Sequence, residues 1–304
     1  MATYRDALRL RPDDPGLHAQ LAAALRETGD LDGAIAEARE AARLEPGNAD
    51  YARDLGNTLF QRGDFKGAAE AYRASLAHRP NDAQTAENLG LALMQLEDWQ
   101  NSAAAFREAL KQRPDWSEAH ANLSTVLTHL NDPAGAASEA QAALRLTPNL
   151  AEAHYNLGIS WARMGRIDDA VNEFREALRA RAEYAEARLG LANALRQKGD
   201  LEEAVNNYRE YLRLRPQEVS ARVSLANTLL KKKDVEGAIR EYEEALRQQP
   251  DQAVIHYNFA AALEAAGQTA RAHQEYETYL QLSPNATDTE DVRKHIKELS
   301  TTKK

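Results

Sequence analysis

The segment Ala151–Arg179 reads AEAHYNLGISWARMGRIDDAVNEFREALR. In its first half, apolar and small residues recur every three or four positions up to Trp161, which is the spacing of one buried helix face. Gly165 then interrupts the pattern, and glycine is the residue that most readily ends a helix in the left-handed conformation. The helical spacing resumes at Ile167 and continues to the end of the segment. The segment therefore predicts a helix, a tight turn and a second helix.

The predicted helical hairpin recurs along the chain. The sequence has 304 residues and 10 prolines, eight of which form a series at Pro12, Pro46, Pro80, Pro114, Pro148, Pro216, Pro250 and Pro284. Neighbouring members are 34 residues apart, except for one gap of 68 residues that skips Ala182. A fixed period of this length indicates a stack of similar supersecondary units rather than a globular domain.

Equivalent positions of the 34-residue unit share size and polarity. The seventh position is leucine or phenylalanine, and the eighth and twentieth are small. The twenty-fourth is aromatic in six units, with alanine at Ala38 and Ala140. Small residues let two helices approach closely, and the aromatic ring fills the space beside them. We divide the chain into a half repeat (an N-terminal helix) at 1–14, eight repeats at 15–48, 49–82, 83–116, 117–150, 151–184, 185–218, 219–252 and 253–286, and a C-terminal capping helix and tail at 287–304.

These columns resemble the signature of the tetratricopeptide repeat family. The fifth unit matches it most fully, with Leu157, Gly158, Ala170 and Phe174 in place, whereas Ala182 stands where the final proline is expected. The resemblance implies an all-α fold, a right-handed α-α superhelix (solenoid) of helix-turn-helix repeats. In such a solenoid the first helices of the repeats line a concave groove.

The turn within each unit carries signals for helix ends. Glycine often occupies it, and an aspartate often follows, as at Asp30, Asp64 and Asp200. An aspartate in this position can accept a hydrogen bond from a free backbone N–H of the next helix. We therefore predict that these three aspartates cap the second helices of their units.

The composition excludes several classes of protein. The chain has a formal net charge of -9, and 28% of its residues are charged. A nucleic-acid partner is not expected, because its binding requires clustered Lys and Arg, whereas basic and acidic residues are interleaved here. No run of about 18 apolar residues occurs, so we predict no membrane-spanning segment. The chain has no cysteine, which excludes disulfides and thiolate zinc sites.

The compartment stays open at this stage. The N-terminal residues lack the apolar stretch of an export signal. The sequence therefore fits either a cytoplasmic protein or the mature part of an exported one, both of them soluble.

Histidine is the residue type that most resembles a metal or catalytic site in this sequence. Four histidines, however, occupy the same fourth position of different units, at His18, His120, His154 and His256. Side chains in distant units cannot share one metal ion, so we interpret them as packing residues. Nucleophile elbows, glycine-rich phosphate loops and isolated carboxylate pairs are also missing. We predict no catalytic residue, no metal and no cofactor, and hence a protein that is not an enzyme.

Positions that face the groove remain available for recognition. Asparagine occupies the sixth or ninth position in seven units, and a row of amides can bind the backbone of an extended peptide. The row is similar to the asparagine ladder in the repeats of O-linked N-acetylglucosamine transferases. The same positions could instead serve packing between neighbouring first helices. The predicted peptide-binding residues are Asn57, Phe60, Asn88, Leu91, Met94, Asn122, Tyr155, Asn156, Asn193, Asn227 and Asn258.

Three functions remain open from the sequence. The first is a non-catalytic scaffold that binds an extended peptide or protein segment in the concave groove. The second is a structural module that forms homo-oligomers through convex or terminal surfaces. Tyr211 and Tyr279 are candidates for that surface, because they are bulky where other units have Ala or Ser. The third is the substrate-recruiting domain of a larger enzyme, since the sequence starts within a unit.

Overall fold

The computed structural model describes residues 1–301, and within them it contains helices and no β-strand. No helix in this range is both long and apolar enough to cross a membrane. The predicted all-α helical-repeat fold is confirmed. The helices are α1 Ala2–Leu10, α2 Pro15–Glu27, α3 Leu31–Leu44, α4 Ala49–Arg62, α5 Phe65–His78, α6 Ala83–Gln95, α7 Trp99–Gln112, α8 Ser117–His129, α9 Pro133–Leu146, α10 Ala151–Arg163, α11 Ile167–Ala180, α12 Ala185–Lys198, α13 Leu201–Leu214, α14 Val219–Lys231, α15 Val235–Gln248, α16 Ala253–Ala265, α17 Thr269–Leu282 and α18 Thr289–Thr301.

Within the two units described next, consecutive helices pack into hairpins, which are α2–α3, α4–α5, α6–α7, α8–α9, α12–α13, α14–α15 and α16–α17. Two compact units make up the chain, Met1–Ser160 and the part that begins at Trp161, and the division falls within α10. The terminal helix α1 buries none of its residues, whereas α18 buries Val292 and Ile296. Residues 302–304 of the predicted tail lie outside the described residues.

The turns within the hairpins use the left-handed backbone conformation. Gly63 follows α4 with a φ of 85°, and Gly199 follows α12 with a φ of 99°. In three turns without glycine, Glu97, Asn131 and Lys233 adopt φ values of 57°, 58° and 69°. Asparagine tolerates this conformation, whereas Glu and Lys disfavour it, so the geometry of the hairpin overrides the local preference of Glu97 and Lys233.

Aspartates cap five of the second helices. Asp64 accepts a hydrogen bond from the backbone N–H of Gly67 at 2.9 Å, and Asp30 caps α3 in the same way. The predicted cap at Asp200 is wrong, because α13 has no side-chain cap. The Asp200 carboxylate lies instead 3.4 Å from the Lys198 ammonium, which competes with the backbone for it.

Aromatic rings fill the space between the two helices of a hairpin. Tyr72 and Phe106 have exposed fractions of 2% and 0%. A Cβ added to Gly56 would lie 2.6 Å from the Tyr72 ring, and one added to Gly90 would lie 2.8 Å from the Phe106 ring. The smallest residue is therefore needed at these two eighth positions. Where Ala38 replaces the ring, a hollow of about 20 Å³ remains, which is room for about one water.

Candidate functional site

The predicted peptide-binding residues lie on the first helices of the hairpins. In the unit Met1–Ser160 they are on α4, α6, α8 and α10, and in the second unit they are on α12, α14 and α16. Asn193 and Asn227 are exposed, Asn156 is buried, and the remaining eight are half-buried. These side chains are therefore accessible to a ligand to different degrees.

Three of the asparagines accept a hydrogen bond from a buried tyrosine of the second helix in the same hairpin. The pairs are Tyr72 with Asn57 (2.9 Å), Tyr208 with Asn193 (2.6 Å) and Tyr242 with Asn227 (2.5 Å), each from hydroxyl to Oδ1. Burial raises the pKa of all three tyrosines, which keeps the hydroxyls protonated as donors. A buried hydroxyl needs a partner, so each bond satisfies the tyrosine and fixes the orientation of the amide. The amide nitrogens form no hydrogen bond within residues 1–301.

The polarity of the residue at the ninth position follows that of the aromatic residue at the twenty-fourth position of the same hairpin. Phe106 has no hydroxyl, and its unit has Leu91 instead of asparagine, with both in one hydrophobic cluster. Tyr276 is paired with Ala261 in the sequence, and its hydroxyl donates instead to Glu264 Oε2 at 3.3 Å. The ninth-position asparagines thus have a role within the fold. The joint occurrence of Tyr with Asn was the signal for it in the sequence.

Three sixth-position asparagines, Asn88, Asn122 and Asn156, connect neighbouring first helices in Met1–Ser160. Asn88 Nδ2 donates to Asn57 Oδ1 at 3.0 Å, which joins α6 to α4. Asn122 Nδ2 donates to Glu87 Oε1 at 3.4 Å, which joins α8 to α6. The Oδ1 of Asn57 therefore accepts two hydrogen bonds and has no further lone pair to offer.

Asn156 is buried, and both hydrogens of its side-chain amide are donated within the chain. Its exposed fraction is 5%, and its Nδ2 donates to the Ala121 carbonyl at 3.0 Å and to Thr125 Oγ1 at 2.8 Å. An asparagine amide has two hydrogens to donate. Neither is left for a ligand, so peptide binding by Asn156 would first require these bonds to break.

Glu87 is a buried carboxylate beside these asparagines, and it was missed from the sequence. Its side chain is 3.4 Å from the amide nitrogens of both Gln84 and Asn122. Burial raises the pKa of Glu87 to about 7; the Asn122 hydrogen bond opposes the rise, Glu118 adds to it and Arg113 opposes it. The available signal was that Glu87 is the one carboxylate at the fifth position of the eight units.

Three apolar side chains lie on the same helices as these asparagines. The Phe60 ring packs edge-on against Phe65, with centroids 5.2 Å apart. Leu91 and Met94 pack against the cluster that contains Phe106. Each of the three packs on the core and keeps part of its surface exposed.

The two tyrosines considered for self-assembly are buried. Tyr211 and Tyr279 have exposed fractions of 8% and 7%. The Tyr279 hydroxyl donates to Asp288 Oδ1 at 2.5 Å, and its ring lies 5.2 Å from that of Tyr257. The assignment of these side chains to a contact surface was wrong, because their bulk fills space within the chain.

The fourth-position histidines contact two parts of the chain at once. In His18, His120 and His256, Nδ1 lies 2.5–2.6 Å from a glutamate of the second helix and Nε2 lies 2.8–3.1 Å from the carbonyl oxygen of the preceding proline. The Glu139 hydrogen bond raises the pKa of His120 against the effect of burial. For His18, burial is the largest single effect and lowers the pKa, but the hydrogen bonds with Glu37 and the Pro12 carbonyl and the charges of Glu37 and Glu40 together raise it. Among the residues that the structure describes, no group of three or more side chains could hold a metal ion.

Family models for the tetratricopeptide repeat match most of the sequence. One matches residues 2–49, 20–83, 53–115, 87–151 and 155–219, and another matches residues 195–256 and 229–293. The chain belongs to the tetratricopeptide repeat family. Tetratricopeptide repeat proteins bind protein or peptide partners, so a protein-interaction scaffold is the general role of this chain.

Solved structures of tetratricopeptide repeat proteins share the fold. YrrB, described as having an unusual peptide-binding site, is 20% identical, with 60% of this chain and 95% of that chain covered and a TM-score of 0.55. The Cut9–Hcn1 hetero-tetramer of APC/C is 17% identical, with 94% of this chain and 56% of that chain covered and a TM-score of 0.59. PilF of Pseudomonas aeruginosa is 20% identical, with 70% and 97% covered and a TM-score of 0.59. Such identities show the fold alone. No curated protein matches the sequence.

Proposed function

We propose that this tetratricopeptide repeat protein binds an extended peptide or protein segment on its first helices and catalyses no reaction. The amide nitrogens of Asn57, Asn193 and Asn227 support this proposal most directly. Their Oδ1 atoms are held by tyrosine hydroxyls, so the N–H groups are presented in a fixed orientation. Such donors suit the carbonyl oxygens of a peptide backbone, which are alike whatever the side chains.

The apolar side chains of α4 and α6 supply the second part of the proposed interaction. Phe60, Leu91 and Met94 are half-buried and anchored, so a ligand side chain packing on them loses water without ordering a flexible surface. The first helices of Met1–Ser160 therefore combine the side-chain amide donor of Asn57 with an apolar contact. Affinity in this arrangement comes mainly from the apolar anchors, and register comes from the amides.

The test uses peptides selected from a random display library on the immobilised chain. Their affinities for variants are measured by fluorescence anisotropy. Phe60→Ala is expected to weaken binding about tenfold, as removal of a central anchor does. Asn88→Ala is expected to weaken it less, because it removes one amide and frees a lone pair on Asn57.

Matched controls separate this site from general damage. Leu146→Ala and Asn172→Ala remove an apolar side chain and an amide from the exposed surface of second helices. Both should bind the selected peptides like the parent chain, and all four variants should keep its circular dichroism. Full binding by Phe60→Ala and Asn88→Ala would place the site elsewhere.

A further inference from the structure

In several repeats, a basic side chain at the fourth position contacts a glutamate at the twenty-third position. A base at the fourth position contacts a glutamate 19 residues later, in the pairs His18–Glu37 (2.5 Å), His120–Glu139 (2.6 Å), Arg222–Glu241 (2.9 Å) and His256–Glu275 (2.5 Å). In the second and third units both positions are alanine. The sixth unit departs from this pattern, because Arg188 is paired by position with Asn207.

Arg188 keeps the contact with the backbone carbonyl that precedes its helix, but it has no glutamate partner. Its Nη2 donates to the Ala182 carbonyl at 2.9 Å, as Arg222 Nη2 does to the Pro216 carbonyl at 3.1 Å. Asn207 is buried and donates its Nδ2 to a backbone carbonyl of its own helix at 2.8 Å. Within residues 1–301, no carboxylate lies within 4.0 Å of the Arg188 guanidinium. A half-buried cation is thus left without a counter-charge, which costs free energy.

An open cleft of about 420 Å³ gives access to Arg188. It lies between α11, α12 and α13, and Leu178 and Leu191 supply apolar surface in it. The other charged side chains of the cleft are already paired, as Arg175–Glu203 (2.7 Å), Arg179–Glu176 (2.5 Å) and Glu210–Arg213 (3.0 Å). Among the lining charges that the structure describes, Arg188 is therefore the one free to receive an anion.

We propose that this Arg188 cleft binds the carboxylate of an aspartate or glutamate side chain from a protein partner. The ligand would supply the carboxylate that Glu241 supplies to Arg222 in the next repeat. A guanidinium matches a carboxylate in geometry and charge, and the two leucines can cover the methylene groups beside it. This site lies between α11, α12 and α13 and contains none of the residues proposed for peptide binding, so it goes beyond that proposed contact and does not depend on it.

The test compares two small probes of similar size, one of which ends in a carboxylate and the other in a neutral amide. N-acetyl-glutamate amide and N-acetyl-glutamine amide are titrated into the full ¹⁵N-labelled chain, and the amide resonances around Arg188 and Asn207 are followed by NMR. The glutamate probe should shift them in a saturable way, and the glutamine probe should not. Arg188→Gln should abolish the response while the dispersion of the spectrum stays the same.

Two single substitutions test whether the missing glutamate is the reason for binding. Asn207→Glu installs the carboxylate found in the other repeats, and it should weaken the glutamate probe at least about tenfold while raising the melting temperature. Glu241→Asn makes the opposite change in the seventh repeat and should create a new response around Arg222. Equal shifts from both probes, or an undiminished response in Asn207→Glu or Arg188→Gln, would overturn the proposal. So would a response to inorganic phosphate without one to the glutamate probe.

Discussion

At the scale of single residues, one hydroxyl group accounts for the choice of a side chain 15 positions earlier in the chain. Tyr72 donates to Asn57 across the hairpin, whereas Phe106, without a hydroxyl, faces Leu91. The partner of each of these aromatic residues therefore comes from the first helix of the same repeat. A polar group on one helix is matched by an acceptor on the other, and an apolar ring by an apolar chain.

This pairing predicts the outcome of a two-step exchange in the third unit. Phe106→Tyr should lower the free energy of unfolding by about 1–3 kcal/mol, because a buried hydroxyl would face Leu91 without an acceptor. Adding Leu91→Asn should recover part of that loss by recreating the pair seen at Tyr72 and Asn57. Chemical denaturation followed by circular dichroism measures both variants. A double variant less stable than Phe106→Tyr alone would refute the pairing.

At the scale of helices and turns, two turns with the same Gly-Asp sequence differ in whether the aspartate caps the helix that follows. Asp64 caps α5, whereas Asp200 contacts Lys198 and caps nothing. Asp64→Ala should lower the free energy of unfolding by about 1 kcal/mol, since it leaves a helix N–H without its acceptor. Asp200→Ala, the matched control, should have a smaller effect. Equal losses in a denaturation experiment would contradict this difference.

The helices could be predicted from the sequence, but some of the turn conformations and side-chain contacts could not. The helices followed from apolar spacing and the recurring proline, because both reflect contacts made within each hairpin. The positive φ of Glu97 and Lys233 could not be predicted, because the closing of the hairpin imposes it against local preference. The asparagines could be assigned to first helices, but not the atoms that stay free. Asn156, for example, loses both amide hydrogens to the preceding first helix.

At the scale of the whole molecule, buried Glu87 and half-buried His18 and His120 make stability depend on pH in the same direction. The pKa of Glu87 is raised to about 7 from 4.5, and the pKa values of His18 and His120 are raised above 6.5. A group with a raised pKa in the folded state binds its proton more tightly there. Its stabilising effect is complete below the unfolded value and is lost as pH rises through the folded value.

The melting temperature should therefore fall as pH rises from 4.5 through 7 and beyond. Glu87→Gln should flatten the first part of this fall, because the neutral amide cannot ionise. His120→Arg should flatten the later part, since arginine stays charged beside Glu139, as Arg222 does beside Glu241. Melting curves recorded by circular dichroism across this range provide the measurement. A melting temperature that rises with pH in this interval would contradict the assignment.

In the proposed peptide contact, the tyrosine bonds to Asn57, Asn193 and Asn227 also determine which chemical changes a ligand can tolerate. An amide N–H that donates to a ligand carbonyl does not require the ligand residue to have an N–H of its own. Proline rings or N-methyl groups along the bound segment should leave these contacts intact, since the carbonyl oxygens remain. Thioamide substitution should weaken them, because sulfur is the poorer acceptor.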